Sequence, residues 1–123
     1  MKKLLALFSL ALLMSACNKD DCCTNEEMAS PCEREMYALF KDRLECREDK
    51  KDGQVVFEMA NHIFKGEYEG QTVYFVDTIC PNCAVAPPEF GYTCEKEKIE
   101  FEDFRTVSNR QKVFDACENA YVK

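Results

Sequence analysis

The clearest alternation of apolar and polar residues lies over Ile63–Tyr68 and Gln71–Thr78, two runs separated by Glu69-Gly70. β-Branched and aromatic residues on a period of two predict strands, and glycine at the second loop position suits a two-residue hairpin turn. In that register Phe64 faces Phe75, Gly66 faces Val73 and Tyr68 faces Gln71. These lie on one side of the sheet, the side expected to pack under a helix. Ile63–Val76, Lys65–Tyr74 and Glu67–Thr72 lie on the other side, which is half polar and expected to face water.

The period changes upstream. Met36, Tyr37, Phe40 and Leu44 recur at helical spacing, and Leu39 widens the stripe. Ser30 as N-cap, Pro31 at the first helical position and Glu33 closing a capping box mark the start. Lys50-Lys51 suit a helix C-terminus, and Gly53 reads as the stop. The pattern predicts one long helix over 31–51. Cys32 and Cys46 would then stand roughly 21 Å apart along it. That exceeds the about 7 Å between Cα atoms that a disulfide spans, so each must bridge to another element.

Val55, Phe57 and Met59 alternate and predict a strand over 54–60, with Asn61-His62 as a turn or bulge. Residues 79–88 read as loop, Phe90 to Cys94 begins another strand, and Ile99–Glu102 is a further one. The last segment is ambiguous. Ser108 with Gln111 resembles a capping box, and Val113, Cys117, Ala120 and Tyr121 have helical spacing. That favours a helix over 108–121 against a short strand over 112–117. The expected fold is α+β: one long amphipathic helix packed on a small antiparallel sheet, disulfide-rich, as one domain over 31–123.

The first residues change the setting. Met1-Lys2-Lys3 is basic, Leu4–Met14 is apolar, and Ser15-Ala16 are small. That is a signal peptide over 1–16, with an apolar run too short to span a bilayer. Leu13-Met14-Ser15-Ala16-Cys17 resembles a bacterial lipobox. The resemblance implies cleavage before Cys17, lipidation there and membrane attachment through that lipid. Lys19-Asp20-Asp21 resembles the export tag of surface lipoproteins in Bacteroidota, which implies an outer-membrane, cell-surface address. Residues 17–30 are then an acidic tether.

Composition narrows the function classes. The chain has 123 residues and a net charge of −7, and loss of the two signal lysines leaves it more acidic. Such a chain is a poor ligand for nucleic acid; a partner selected by charge would be basic. Cys17 aside, the cysteines are Cys22, Cys23, Cys32, Cys46, Cys80, Cys83, Cys94 and Cys117. An even set in a small exported domain reads as a disulfide framework, and such bridges offset the small core of a short chain. Adjacent Cys22-Cys23 would tie the tether to the domain at two points, and Cys80, Cys83 and Cys94 would clamp the loop between two strands. One Cys-x-x-Cys and a single histidine do not make a zinc set.

Cys80-Pro81-Asn82-Cys83 after a strand, with Pro88 beyond it, resembles the redox site of thioredoxin-like proteins. That implies Cys80 as attacking thiolate and Cys83 as resolving thiol. The match departs soon after: Pro87-Pro88 and Gly91 stop any helix within about two turns, and no later proline could supply the facing loop. A structural staple is the simpler use.

Other constellations point to ordinary structure. Glu95, Glu97, Glu100, Glu102 and Asp103 alternate with lysine and apolar residues, as on a solvated sheet face, not as a glycosidase pair. Asp20-Asp21 and Asp49–Gly53 lack EF-type calcium spacing. His62, the lone histidine, has no nucleophile motif beside it. No phosphate-cradling glycine loop or cofactor motif is present. Tyr37, Tyr68, Tyr74, Phe90 and Tyr92 read as core, with a recognition patch as the alternative.

Gly91-Tyr92-Thr93-Cys94 followed by Ile99-Glu100-Phe101 resembles lipoprotein inhibitors of lysozyme. Those are small, exported, disulfide-bonded and largely strand, and a long helix and lack of tryptophan depart from them. Over Tyr68 to Cys83 the chain resembles small Bacteroidota lipoproteins without assigned activity. The expected function is a non-catalytic surface binding module. An inhibitor of a basic enzyme such as lysozyme, and a thiol–disulfide oxidoreductase at Cys80/Cys83, are the alternatives.

Overall fold

A computed structural model describes residues 29–123. The expected signal peptide, Cys17, Cys22 and Cys23 lie outside the described residues.

The helix begins where its start signals place it. Ser30 Oγ accepts from the Glu33 amide at 3.2 Å, and the Ser30 amide donates to Glu33 Oε2 at 3.2 Å. The helix does not reach residue 51. α1 covers Pro31–Phe40, a single 3₁₀ turn follows at Lys41–Arg43, and Leu44 is already extended. The remainder of the expected helix is strand β1, Glu45–Lys51, which pairs antiparallel with Gln54–Asn61. The expectation of one long helix on a small sheet is therefore corrected. The described residues form a seven-stranded antiparallel sheet with one ten-residue α-helix.

The physical reason lies at Asp52-Gly53. Both residues have positive φ, 53° and 78°, which is the backbone of the two-residue hairpin turn that Asp-Gly favours. Glycine at 53 thus reverses a strand; it does not cap a helix. Glu69-Gly70 repeats the arrangement, with φ of 49° and 80°.

β2, Gln54–Tyr68, merges two strands expected separately and runs on through Asn61-His62. β3 is Gln71–Ile79. Its pairing with β2 includes Phe64↔Phe75, Gly66↔Val73 and Tyr68↔Gln71, the expected register. β4 (Phe90–Tyr92) joins β3, and β5 (Lys98–Glu100) joins β4. On the other side of β2 lies β6, Ser108–Asp115, followed by β7, Ala120–Tyr121. The helix favoured over 108–121 is therefore replaced by two strands and a turn. Ser108 and Gln111 sit on a strand, and Asn119 turns the chain with φ of 51°.

The sheet is buried on both faces. Met36 and Phe40 of α1 pack with Ile63, Tyr74, Phe114 and Tyr121. The helix thus covers the face expected to be wet. Tyr68, Val73 and Phe75, expected beneath the helix, instead pack with Phe104 and Val107 from the segment between β5 and β6. Each large apolar side chain so buried contributes about 1.5–3 kcal/mol. Gly66 permits the second layer. A Cβ there would meet Val107 Cγ1 at 2.6 Å and the Ser108 carbonyl oxygen at 3.0 Å.

Three disulfides join described cysteines. Cys32–Cys94 ties the first turn of α1 to the β4–β5 turn, and Cys46–Cys117 ties β1 to the β6–β7 turn. Cys80–Cys83 closes a turn at the end of β3. Cys32 and Cys46 do not pair with each other, but not for the reason of a shared helix. Cys94 takes Cys32 as its partner, so it does not join the expected clamp around the loop after β3.

Candidate functional site

Two places carry the sequence's candidate chemistry, the turn at Cys80–Cys83 and the buried His62, and the structure adds a third, the hairpin formed by β1 and β2.

Cys80 lies at the end of the sheet and is only 9% exposed, whereas Cys83 is exposed. The Cys83 amide donates to the Cys80 carbonyl at 3.1 Å. No helix follows; regular structure resumes at Phe90. The resemblance to a thioredoxin-like site thus ends at the four motif residues. Cys80 has no helix N-terminus behind it to stabilise a thiolate. A cleft of about 240 Å³ opens beside the following loop, lined by residues including Arg43, Asp77, Thr78 and Phe90. Arg43 and Lys98 each place a cation over the Phe90 ring, at 4.9 and 4.6 Å from its centre.

His62 is 1% exposed. Its Nδ1 accepts the Ala116 amide at 2.9 Å, and Asp115 Oδ1 stands 3.7 Å away. Burial lowers its pKa below 6.5; Lys112 adds to that, while Asp115 and Glu58 oppose it. The imidazole is therefore neutral at pH 7, with its hydrogen on Nε2. Two sets of donor atoms lie within 4.8 Å of one another, Cys46/Glu48/Cys117 and Glu58/His62/Cys117. Both include a sulfur committed to the Cys46–Cys117 bond. A protonated Nε2 and an Nδ1 engaged with an amide leave His62 no free lone pair. His62 acts here as a fixed acceptor that holds the β6–β7 turn to β2.

Asp115 serves the same turn. Its Oδ1 accepts from the Cys117 and Glu118 amides at 2.9 and 3.1 Å, and its Oδ2 accepts from Lys112 Nζ at 3.0 Å. Burial alone would raise its pKa, but these donors outweigh burial and hold it below 3.8. The dense carboxylates are otherwise as a solvated face would have them: Glu95, Glu97, Glu100 and Glu102 are exposed. Asp103 is the N-cap of a short 3₁₀ turn, where its carboxylate accepts from Arg105.

The third place is a strand in the sequence pattern but not a site. β3 starts to pair with β2 only at Ala60, opposite Ile79. Residues 54–59 of β2 therefore pair with β1 alone, and their opposite edge has no strand partner among the described residues. The outer part of this arm is exposed, with Val55 at 49% and Val56 at 55%, while Phe57, Glu58 and Met59 are half-buried. Its two strands differ in chemistry. In β1, Glu45-Cys46-Arg47-Glu48-Asp49-Lys50-Lys51, every residue but the cysteine is charged. In Gln54-Val55-Val56-Phe57-Glu58-Met59 only Glu58 is charged. Charged edges resist pairing with another chain, and uncharged β-branched edges invite it. Asp-Gly followed by Val55, Phe57 and Met59 was the signal that could have revealed the arm.

No described helix is long and apolar enough to cross a membrane. No family model, curated protein or solved structure matches this chain.

Proposed function

We propose that this chain is a non-catalytic lipoprotein of the outer-membrane surface, anchored through Cys17, that binds a protein partner along the free edge of its β1–β2 arm. The observation that carries this reading is the nearly uncharged edge over Gln54–Met59, which has no strand partner among the described residues and includes exposed Val55 and Val56. An extended segment of a partner would add a strand there, with main-chain hydrogen bonds for affinity and side-chain contacts for specificity. The net charge of −7 favours a basic partner. The anchor rests on the lipobox resemblance, and a surface address leaves the arm accessible.

The test is photo-cross-linking from position 54 on the intact bacterium that makes the protein, with mass-spectrometric identification. The reading expects one adduct with a basic protein, lost when Val55→Lys and Val56→Lys are introduced together. Adducts only between copies of this chain, or none at all, would overturn it.

A second reading is inhibition of a basic enzyme such as lysozyme. It gains from the strand-rich fold, because the long helix that set the chain apart from such inhibitors is absent. A lysozyme activity assay with the purified domain separates the two readings: full activity at equimolar inhibitor rejects the second.

A further inference from the structure

The three disulfides are not equivalent. Cys32–Cys94 and Cys46–Cys117 span 62 and 71 residues, and Cys80–Cys83 spans 3. The long bonds join separate elements. Their sulfurs sit on backbone held in place on both sides: the first turn of α1 for Cys32, and β1 for Cys46. Cys94 lies in a turn closed by the Lys96 amide on the Thr93 carbonyl at 2.9 Å, and the Cys117 amide is held by Asp115 at 2.9 Å. Cys83 and Cys94 are both exposed, but Cys94 lies between β4 and β5, whereas no helix or strand follows Cys83 until Phe90.

Thiol–disulfide exchange requires the attacking, central and leaving sulfurs to align, so its rate depends on access and on freedom of the attacked sulfur. Of the six bonded sulfurs, that of Cys83 best combines the two. Cys80 is shielded, which fixes the direction of attack. The turn is also held by the hydrogen bond from the Cys83 amide to the Cys80 carbonyl, which does not involve the sulfurs.

We propose that Cys80–Cys83 is a thiol-exchange site that reacts with an external dithiol at Cys83 Sγ while the two long disulfides stay closed. A thiolate of the dithiol forms a bond to Cys83 Sγ. Cys80 Sγ leaves with the electron pair and takes a proton from water. The second thiolate of the reagent then attacks its own sulfur in the mixed bond and releases Cys83. The dithiol ends as a disulfide, and Cys80 and Cys83 end as two thiols. This step is separate from the binding arm and stands or falls independently of it.

The experiment treats the full chain with dithiothreitol for graded times, blocks free thiols with N-ethylmaleimide and maps them by digestion and mass spectrometry. Cys80 and Cys83 are expected to be labelled at times when Cys32, Cys46, Cys94 and Cys117 are not, with unchanged circular dichroism. Labels at Cys22 and Cys23 are read separately. A second measurement compares Cys80→Ser, which leaves the Cys83 thiol, with Cys83→Ser, which leaves the Cys80 thiol. Cys83 should alkylate about tenfold faster or more, given the dependence on access. Opening of Cys80–Cys83 together with or after the long bonds overturns the proposal. Equal alkylation of the two thiols overturns the direction of attack.

Discussion

The two halves of β2 share one strand and have opposite surroundings. Residues 60–68 have β3 on one side and, over Ile63–Glu67, β6 on the other, with α1 above and the Phe104–Val107 segment below. Residues 54–59 have β1 as their one strand partner among the described residues, and are exposed over 54–56 and half-buried over 57–59. The inner half is fixed by burial. The outer half persists through its turn and through Cys46, which anchors β1 to Cys117 at the arm's base. Continuity of a strand therefore says little about uniform stability: the inner half belongs to the cooperative core, and the outer half is a local appendage.

The sharpest way to break this contrast is to cut the arm loose. Cys46→Ser opens a loop of 71 residues, for which the chain-entropy model gives a loss of roughly 4 kcal/mol. Urea unfolding would measure it, and the loss should exceed that from Cys80→Ser. Next comes Gly66→Ala in the inner half. The new Cβ would collide with Val107 and the Ser108 carbonyl, a clash expected to cost about 1–3 kcal/mol. Gly53→Ala in the arm meets no atom within 4 Å, and its penalty is the φ of +78° alone. That penalty, about 1–2 kcal/mol, is capped by the arm's own small stability, so the unfolding midpoint should move less.

His62 supplies a pH test confined to the inner half. Burial holds its folded pKa below the ordinary 6.5. Above pH 6.5 both states are neutral and the full stability is present. As the pH falls below 6.5 the unfolded chain protonates first, and stability declines until the folded pKa is reached. Urea midpoints between pH 7.5 and 5.5 should fall, and His62→Gln should flatten that slope. Asp115, lowered from 3.8, adds its own loss only at more acid pH. The smallest effect on stability is expected from Val55→Thr with Val56→Thr. Exposed positions like these change stability by less than about 0.5 kcal/mol, while the cross-link to a partner should weaken.

Local chemistry made the inner half legible. The β2–β3 register follows from alternation about Glu69-Gly70, and the start of α1 follows from Ser30, Pro31 and Glu33. What failed was the stretch after Phe40. Glu45–Lys51 consists of good helix formers, and Leu44 continues the helical stripe. Pairing with β2 overrides those propensities, and Leu44 still packs against the core from an extended backbone. The C-terminal segment misled in the same way, since Ser108 and Gln111 imitate a cap on what becomes an edge of the sheet. Which face α1 would cover was not readable either, because both faces of the hairpin carry aromatics. The open edge over Gln54–Met59 is a property of where β3 stops relative to β2, and only the assembled sheet shows it.

The long disulfides also interleave: the order along the chain is Cys32, Cys46, Cys94, Cys117, and the bonds cross from first to third and second to fourth. A chain threaded N-terminus first into an oxidising compartment presents its cysteines in sequence. Oxidation of neighbours as they emerge would join Cys32 to Cys46 and Cys94 to Cys117, and only Cys80 to Cys83 would be right at once. Reaching the native pairing then requires reshuffling after Cys117 has arrived. If the chain is exported as proposed, its maturation should therefore depend on a disulfide isomerase, not only on the oxidase that makes the first bonds.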